Sequence, residues 1–165
     1  MIQVYIGLGS NLALPEKQIQ AACKSLASIP KTALIKCSSL YQSQPMGPQD
    51  QPDYVNAVAL IETDLSAASL LQHTQLIETQ QGRIRKANKW GPRTLDLDML
   101  LYGSQHINSE HLTVPHAGIK HREFVLYPLY EITPDLTFPC GEKLSDLLLT
   151  CPIKGLQKMP CSALI

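Results

Sequence analysis

The stretch KWGPRTLDLDML, residues 89–100, places two acids inside an apolar run that directly follows a group of cations. Successive side chains of a β-strand point to opposite faces, so Asp96 and Asp98 share one face. The apolar side chains around them are expected on the other face: Leu95, Leu97, Met99 and Leu101. We therefore predict a strand with one face in a core and the other exposed to solvent or a ligand.

Length and composition predict one compact domain, residues 1–165, in the cytoplasm. The chain is long enough to bury a core, and its apolar content of 44% is ordinary for a globular protein. No stretch resembles a signal peptide or a membrane span, so we expect no membrane partner. The cysteines are scattered and never form CxxC, which indicates reduced thiols that mainly fill the core. They are Cys23, Cys37, Cys140, Cys151 and Cys161.

The charges balance overall but are unevenly distributed. There are 14 basic and 14 acidic side chains, which argues against a nucleic-acid partner. Five cations nevertheless fall within residues 83–93: Arg83, Arg85, Lys86, Lys89 and Arg93. Because two like charges roughly 7 Å apart on a strand repel each other, the acid pair needs a positive group beside it.

Hydrophobic periodicity predicts the element order β-α-β-β-α-β with additions. Strands are expected at 2–8, 34–43, 54–63 and the acid-bearing stretch, and helices from Pro15, at 66–81, at 117–127 and at 142–150. A hairpin is expected at 105–116, and the tail 152–165 is expected to be loosely held. This order predicts an α+β fold, a ferredoxin-like βαββαβ core sheet with helices packed on it, plus an extra hairpin and a C-terminal helix.

Two of these elements carry detailed expectations. The strand at 54–63 should place Val55, Ala57, Ala59 and Ile61 on one face and Tyr54, Asn56, Val58 and Leu60 on the other. The helix at 66–81 should end at Gly82, since glycine is the usual residue after a helix C-terminus.

The acid pair allows three interpretations. It is a solvent-facing pair bonded to Arg93 or Lys89, a general acid and base for glycoside cleavage, or a pair of magnesium ligands. The second interpretation is weak because the adjacent cations would hold both carboxylates ionised. Magnesium takes carboxylate oxygens and is normally completed by substrate phosphates, which the cations of residues 83–93 would also hold. This pattern favours phosphoryl transfer, in which positioning and charge neutralisation do most of the catalysis.

Three other features have two interpretations each. Trp90, beside Gly91 and Pro92, is either a ring on a loop that closes over a ligand or a ring folded onto the surface. The segment GLGSN, residues 7–11, invites a phosphate-loop interpretation, but GxGxxG requires glycine where Leu12 stands, so a strand-to-helix turn is favoured. His116 follows the hairpin near other cations and is either a site residue or an ordinary surface histidine.

Several separated segments resemble the 6-hydroxymethyl-7,8-dihydropterin pyrophosphokinase family. In chain order they are GLGSNL, GPQDQPDYVNA, QQGRIRK, KWGPRTLDLDML and LTVPH. The resemblance covers nearly the whole chain up to about residue 150. It implies transfer of the β,γ-pyrophosphoryl group of ATP to the hydroxymethyl group of a reduced pterin in folate biosynthesis, with release of AMP and with two Mg²⁺ ions.

The resemblance also implies roles for individual residues. Asp96 and Asp98 resemble the acids that bind both metal ions, and Arg83 and Arg93 resemble arginines that stabilise the transferring phosphates. The pterin-side residues are Ser43, Met46, Tyr54, Asn56, Trp90 and Phe124, with the ring between Tyr54 and Phe124. The ATP-side residues are Gln75, Glu78, Arg85, Lys86, Thr113, His116 and Arg122. Departures from the family pattern are Gln44, Lys89 and Ala117, which affect fine contacts and not the reaction.

Two rival functions use the same features. A Mg²⁺-dependent phosphodiesterase or nuclease would use the acid pair without a pocket for a planar ring. A ferredoxin-like RNA-binding module would use the basic loop, but it lacks basic and aromatic residues interleaved on a strand. We expect ATP and a small pterin as the partners of a monomeric enzyme.

Overall fold

The computed structural model describes residues 1–12, 14–44, 50–82 and 94–160. These residues form a six-stranded antiparallel sheet and a separate two-stranded hairpin. The strands in chain order are β1 (Ile2–Ser10), β2 (Thr32–Cys37), β3 (Tyr41–Ser43), β4 (Tyr54–Thr63), β5 (Asp96–Tyr102), β6 (Ile107–Asn108), β7 (Thr113–Val114) and β8 (Gln157–Lys158). The sheet order is β5-β1-β4-β3-β8, with β2 also paired to β4, and β6 with β7 is the predicted hairpin.

The helices cover both faces of the sheet. They are α1 (Pro15–Ala27), α2 (Ala67–Gln80), α3 (Glu123–Ile132) and α4 (Leu144–Leu149). One core lies between the sheet and the pair α1 and α2, and a second core lies between the sheet and the pair α3 and α4. No helix among the described residues combines the length and the apolar character that a membrane span requires.

Local signals account for the bounds of the first two helices. Pro15 is the first residue of α1, where its missing N–H costs nothing. The hydroxyl of Ser66 caps α2 by accepting a hydrogen bond of 3.2 Å from the Ser69 amide. Gly82 follows α2 with a φ of +88°, a left-handed conformation that favours glycine. The predicted helix start at Pro15 and helix end before Gly82 are therefore confirmed.

The middle of the sheet follows the predicted alternation. The side chains of β4 divide between the two cores, with Val55, Ala57, Ala59 and Ile61 in one and Val58 and Leu60 in the other. The strand predicted at 34–43 is instead two short strands, β2 and β3. Residues 38–40 separate them. Ser38 stays attached to β4 because its amide donates to the Val58 carbonyl and its hydroxyl accepts from the Val58 amide.

The prediction that Leu101 shares a face of β5 with Leu97 and Met99 is wrong. Tyr5 of β1 pairs with Leu101 and Ile6 pairs with Met99, so Leu100 is an extra residue in a β-bulge. A bulge shifts the alternation by one position. Leu101 therefore lies in the core under α3 and α4, on the opposite side of the sheet from Leu97 and Met99.

The helix predicted at 117–127 is wrong at both ends. Ile119–His121 form only a short 3₁₀ helix, and the extended backbone of Arg122 (φ −112°, ψ 108°) separates it from α3. The helix then continues past Pro128, although an internal proline costs roughly 3 kcal/mol. Buried side chains beyond the proline continue the apolar stripe and outweigh that cost: Leu129 and Ile132.

The tail predicted to be loosely held is attached to the sheet in its described part, residues 152–160, and its last five residues lie outside the described residues. Strand β8 pairs with β3, and the amide of Met159 donates to the Leu40 carbonyl at 2.8 Å. The predicted helix at 142–150 is confirmed as the shorter α4. The expectation that cysteines mainly fill the core holds for the buried Cys23, whereas Cys140 is exposed.

Candidate active site

Two glycines of β1 lie beside the two acids of β5, because both pairs are two residues apart along their strands. Asp96 is paired with Gly9, and Asp98 is paired with Gly7. Paired residues of antiparallel strands point to the same face, and glycine has no side chain, so the sheet beside each carboxylate is bare. On the other side of β1, Gly9 is paired with Asn56 of β4. The acid pair and Asn56 therefore face the same bare strip of β1.

This strip is the floor of a cavity of about 280 Å³. The cavity is lined by predicted site residues of three chemical kinds, namely acids, other polar or basic groups and aromatic rings. They are Asp96, Asp98, Ser43, Asn56, His116, Arg122, Tyr54 and Phe124. Residues from β3, β4, β5, the segment before α3 and the start of α3 thus meet in one place, as a bound ligand with both charged and planar parts would require.

The amide of Asn56 has a defined orientation. Its Nδ2 donates a hydrogen bond of 2.7 Å to the Ser43 hydroxyl, and both side chains are buried. Asn56 Oδ1 consequently points toward Gly9, where a Cβ atom would come within 3.1 Å of it. Gly9 is therefore needed for the close approach of β1 to this amide.

His116 lies beside the acid pair. Its Nδ1 accepts a hydrogen bond of 3.1 Å from the Gly118 amide, so in the neutral ring the proton is on Nε2. Nε2 is 3.9 Å from Asp98 Oδ2. The backbone amide of His116 also donates to the Leu100 carbonyl at 3.0 Å, which ties the residue to β5. These contacts favour the interpretation of His116 as a site residue over that of an ordinary surface histidine.

Arg122 lies against the backbone at the rim of the cavity. A Cβ atom on Gly118 would be only 2.4 Å from Arg122 Nε, so the guanidinium occupies the space that a side chain at position 118 would need. The guanidinium carbon is 5.8 Å from the centre of the Phe124 ring, within the range of a cation–π contact. Arg122 therefore connects the aromatic wall to the 3₁₀ turn.

The acid pair is chemically suited to magnesium. It offers carboxylate oxygens on one face, and the Asp98 side chain is 38% exposed, so water can reach it. In the described part of the chain no group of three or more His, Cys, Asp or Glu residues is arranged to hold a metal ion. Magnesium does not require such a cage, because it commonly takes one or two carboxylates and completes its shell with waters and substrate phosphates.

Three predicted ATP-side residues do not line the cavity. Gln75 on α2 and Thr113 on the hairpin are both exposed. Glu78 is buried, with 3% of its surface exposed, and its Oε2 accepts a hydrogen bond of 2.8 Å from the Leu97 amide. The structure thus places Glu78 in contact with the backbone of the strand that carries the acids.

Six predicted site residues lie outside the described residues. They are Met46, Arg83, Arg85, Lys86, Trp90 and Arg93. The cation patch and the proposed closing loop therefore stay predictions.

The two glycines of the floor were not identified as site residues from the sequence. The prediction that GLGSN forms a strand-to-helix turn is wrong, because β1 continues through Ser10. The sequence did contain a signal for these glycines, since Gly7 and Gly9 are two residues apart, as Asp96 and Asp98 are. Recognising it requires knowing that the two strands are neighbours and in which register they pair.

Comparisons with known proteins identify the family. The model of the 7,8-dihydro-6-hydroxymethylpterin-pyrophosphokinase family matches residues 5–134. The chain is 50% identical over 161 residues to the 2-amino-4-hydroxy-6-hydroxymethyldihydropteridine pyrophosphokinase of Pseudomonas aeruginosa, covering 97% of this chain and 99% of that one. It is 53% identical over 148 residues to the enzyme of the same name from Haemophilus influenzae, covering 90% of this chain and 92% of that one.

A solved structure supports the fold. A crystal structure of an HPPK-DHPS protein in complex with substrates has a TM-score of 0.71 at 12% identity, and the alignment covers 91% of this chain. The chain spans only 45% of that larger protein. Since the family model matches most of the chain and close relatives share half of its residues, the chain belongs to the 7,8-dihydro-6-hydroxymethylpterin-pyrophosphokinase family.

Proposed function

We propose that this protein transfers the β,γ-pyrophosphoryl group of ATP to the hydroxymethyl group of 6-hydroxymethyl-7,8-dihydropterin, releasing AMP. The observation that carries the proposal is the cavity in which an acid pair, two aromatic rings and a buried amide meet. A phosphodiesterase or nuclease would use the acids but would not need a pocket for a planar ring. The names of the relatives at 50% and 53% identity support the same reaction.

The pterin would lie between Tyr54 and Phe124. Both rings line the cavity, and aromatic faces stack well on a flat heterocycle. Asn56 is suited to the polar edge of the pterin because an amide offers both a donor and an acceptor. Ser43 holds that amide in one orientation, so the edge of the ring would meet preoriented groups. This arrangement would orient the hydroxymethyl group with little loss of freedom on binding.

The triphosphate would lie over the bare strip beside Asp96 and Asp98. These two carboxylates would hold the two Mg²⁺ ions expected from the family, which when bound would neutralise charge on the phosphates. His116 and Arg122 supply N–H donors on the cavity wall, which suit phosphate oxygens. The cations expected to complete the phosphate contacts are Arg83, Arg85, Lys86 and Arg93.

Product analysis tests the proposal. The protein is incubated with ATP, Mg²⁺ and the reduced hydroxymethylpterin, and we expect AMP and a pterin diphosphate in equal amounts. ADP would show an ordinary γ-phosphoryl kinase and would overturn the proposal. Asp96→Asn and Asp98→Asn should each lower kcat by about 100-fold or more, because each removes a charge that the reaction requires. The matched control is Asp135→Asn, an exposed acid after α3, which should leave kcat unchanged.

Substitution of the rings separates the rival functions. Tyr54→Ala and Phe124→Ala should raise the KM for the pterin, since each removes one face of the stacking site. A protein that hydrolyses phosphodiesters equally well with and without these rings would instead be a metal-dependent nuclease. Binding of oligonucleotides with a steep salt dependence, by a protein that leaves ATP intact, would indicate the RNA-binding alternative.

We also propose the finer description of the fold and setting. The order β5-β1-β4 followed by β2 and β3, with antiparallel neighbours throughout, supports a ferredoxin-like core. That the protein is a single domain and acts as a cytoplasmic monomer on small molecules stays a prediction.

A further inference from the structure

Among the described residues, β5 is an edge strand of the main sheet. It pairs with β1 on one side and has no strand on the other. The outward amides of an edge strand need partners, and without them the strand is less well held. The acids of the candidate site lie on this strand, so whatever fixes its outer edge also fixes the acids.

Glu78 provides a partner at the position between the two acids. Leu97 stands between Asp96 and Asp98, and its amide donates to Glu78 Oε2 at 2.8 Å. The side chain of Leu97 enters the core under α1 and α2. By strand alternation the two acids point to the opposite face, into the cavity. The contact with Glu78 is therefore one residue away from each acid along the backbone.

Because Glu78 is buried, its carboxylate needs this hydrogen bond. Glu78 lies in the last turn of α2 and is 3% exposed, among the buried side chains Leu70, Thr74 and Ile77. Burying a carboxylate is unfavourable unless hydrogen bonds compensate for the lost water. An apolar residue would fill this helix position at lower cost in free energy, so packing alone does not explain why a carboxylate lies here.

The start of β5 is also attached from the other side. The buried hydroxyl of Ser10 donates to the Thr94 carbonyl, two residues before Asp96. Beyond the acids, the bulge at Leu100 interrupts the regular pairing with β1. Between these two points the β1 ladder holds the inner edge of the acid segment, and Glu78 bonds to the Leu97 amide at its outer edge.

We propose that Glu78 is a positioning residue that holds the acid pair in its metal-binding geometry through the Leu97 amide, without touching substrate. This rests on the proposed function, because it assigns the acids to magnesium. It differs from the nucleotide contact that family resemblance implies for Glu78. Groups that orient metal ligands from outside the ligand shell commonly change metal affinity 10- to 100-fold when they are removed.

Two conservative variants separate the hydrogen bond from the charge. Glu78→Gln removes the charge but keeps an acceptor oxygen at the same reach. Glu78→Asp keeps the charge but is one methylene shorter, so its carboxylate cannot reach the Leu97 amide in the same geometry. If positioning is the role of Glu78, the glutamine variant should behave like the wild type and the aspartate variant should not.

The first measurement is hydrogen exchange of the Leu97 amide in the protein without metal or nucleotide. Exchange should be clearly faster in Glu78→Asp and close to wild type in Glu78→Gln. The second is binding of Mn²⁺, in place of Mg²⁺, together with an ATP analogue that has a methylene bridge between the α and β phosphorus atoms. Glu78→Asp should weaken Mn²⁺ binding about 10-fold or more, and Glu78→Gln by less than about 3-fold.

The matched control is Thr74→Val on the same buried face of α2. It removes a hydroxyl that donates its hydrogen bond within the helix, to the Leu71 carbonyl at 2.9 Å. It should leave both Leu97 exchange and Mn²⁺ binding unchanged. An equal loss of Mn²⁺ binding in Thr74→Val and Glu78→Asp would mean that any disturbance of α2 weakens the site, and would overturn the proposal.

Two further outcomes would also overturn it. Weak Mn²⁺ binding in Glu78→Gln with a protected Leu97 amide would show that the charge matters and the hydrogen bond does not. Unchanged exchange and Mn²⁺ binding in Glu78→Asp would show that the contact positions nothing. Neither measurement needs turnover, so a wild-type protein that forms no AMP would refute the proposed reaction while these comparisons still decide the role of Glu78.

Discussion

Replacing Gly9 by alanine should disturb the pterin site without unfolding the sheet. The added Cβ atom would lie 3.1 Å from Asn56 Oδ1 and 3.9 Å from Tyr54 Cδ1. The distance to Asn56 Oδ1 is shorter than an ordinary van der Waals contact, so the Asn56 amide must move by a few tenths of an ångström. Asn56 is 6% exposed and bonded to Ser43 at 2.7 Å, so any movement strains that hydrogen bond.

The structure bounds the size of the effect. Losing one hydrogen bond of this kind costs about 0.5–1.5 kcal/mol. Since 1.4 kcal/mol corresponds to a factor of ten, the KM for the pterin should rise by about 2- to 10-fold. The free energy of unfolding should change by less than about 1 kcal/mol, because alanine is easier than glycine to order in a strand and this partly offsets the strained contact.

The assay is steady-state kinetics with varied pterin at saturating ATP and Mg²⁺, beside urea unfolding of the same preparation. Gly7→Ala is the matched comparison, since the nearest neighbour of its Cβ atom would be the Leu100 side chain at an ordinary 3.5 Å. We expect a larger rise in the KM for the pterin in Gly9→Ala than in Gly7→Ala. An unchanged KM in Gly9→Ala, or an equal rise in both variants, would refute the reasoning about the Asn56 contact.

Two stability predictions concern other parts of the fold. Burial alone would raise the pKa of Glu131, but hydrogen bonds from the Tyr41 hydroxyl and from the amide and hydroxyl of Ser39 hold it below its ordinary value. Glu131→Gln should therefore lower the free energy of unfolding by about 1–2 kcal/mol at neutral pH. This difference from the wild type should shrink below about pH 4.3, because the wild-type carboxylate is then protonated. A difference in urea unfolding that stays constant down to about pH 3 would contradict this. Ser66→Ala should cost about 1 kcal/mol in the same assay by removing the cap of α2, and a stability equal to wild type would contradict the role of that cap.

Local regularities explain which elements could be predicted. The alternation of β4 and the bounds of α2 follow from side-chain period, a capping serine and a glycine after the helix, and these act within a few residues. Prediction from the sequence fails where contacts with distant parts of the chain decide the local structure. The bulge at Leu100 reverses the face of Leu101, and packing of Leu129 and Ile132 carries α3 past Pro128.

The site shows the same division. The strand pattern indicated Asp96 and Asp98, and the family resemblance added Tyr54, Asn56 and Phe124; the structure brings these side chains to one cavity. Gly9 has no chemistry of its own, and its importance depends on the strand that lies beside it. Glu78 was assigned to the nucleotide side by resemblance, whereas its contact with the Leu97 amide is visible only when α2 is packed on β5.

The sequence by itself determined the α+β class, the shared face of the two acids and the family, because periodicity and motifs are properties of short segments. Only the tertiary structure decided that Gly7 and Gly9 form the bare floor between the acids and Asn56. It likewise decided that Glu78 holds the backbone between those acids. The physical reason is that strand register and helix packing are set by contacts between residues far apart in the chain, which no short segment specifies.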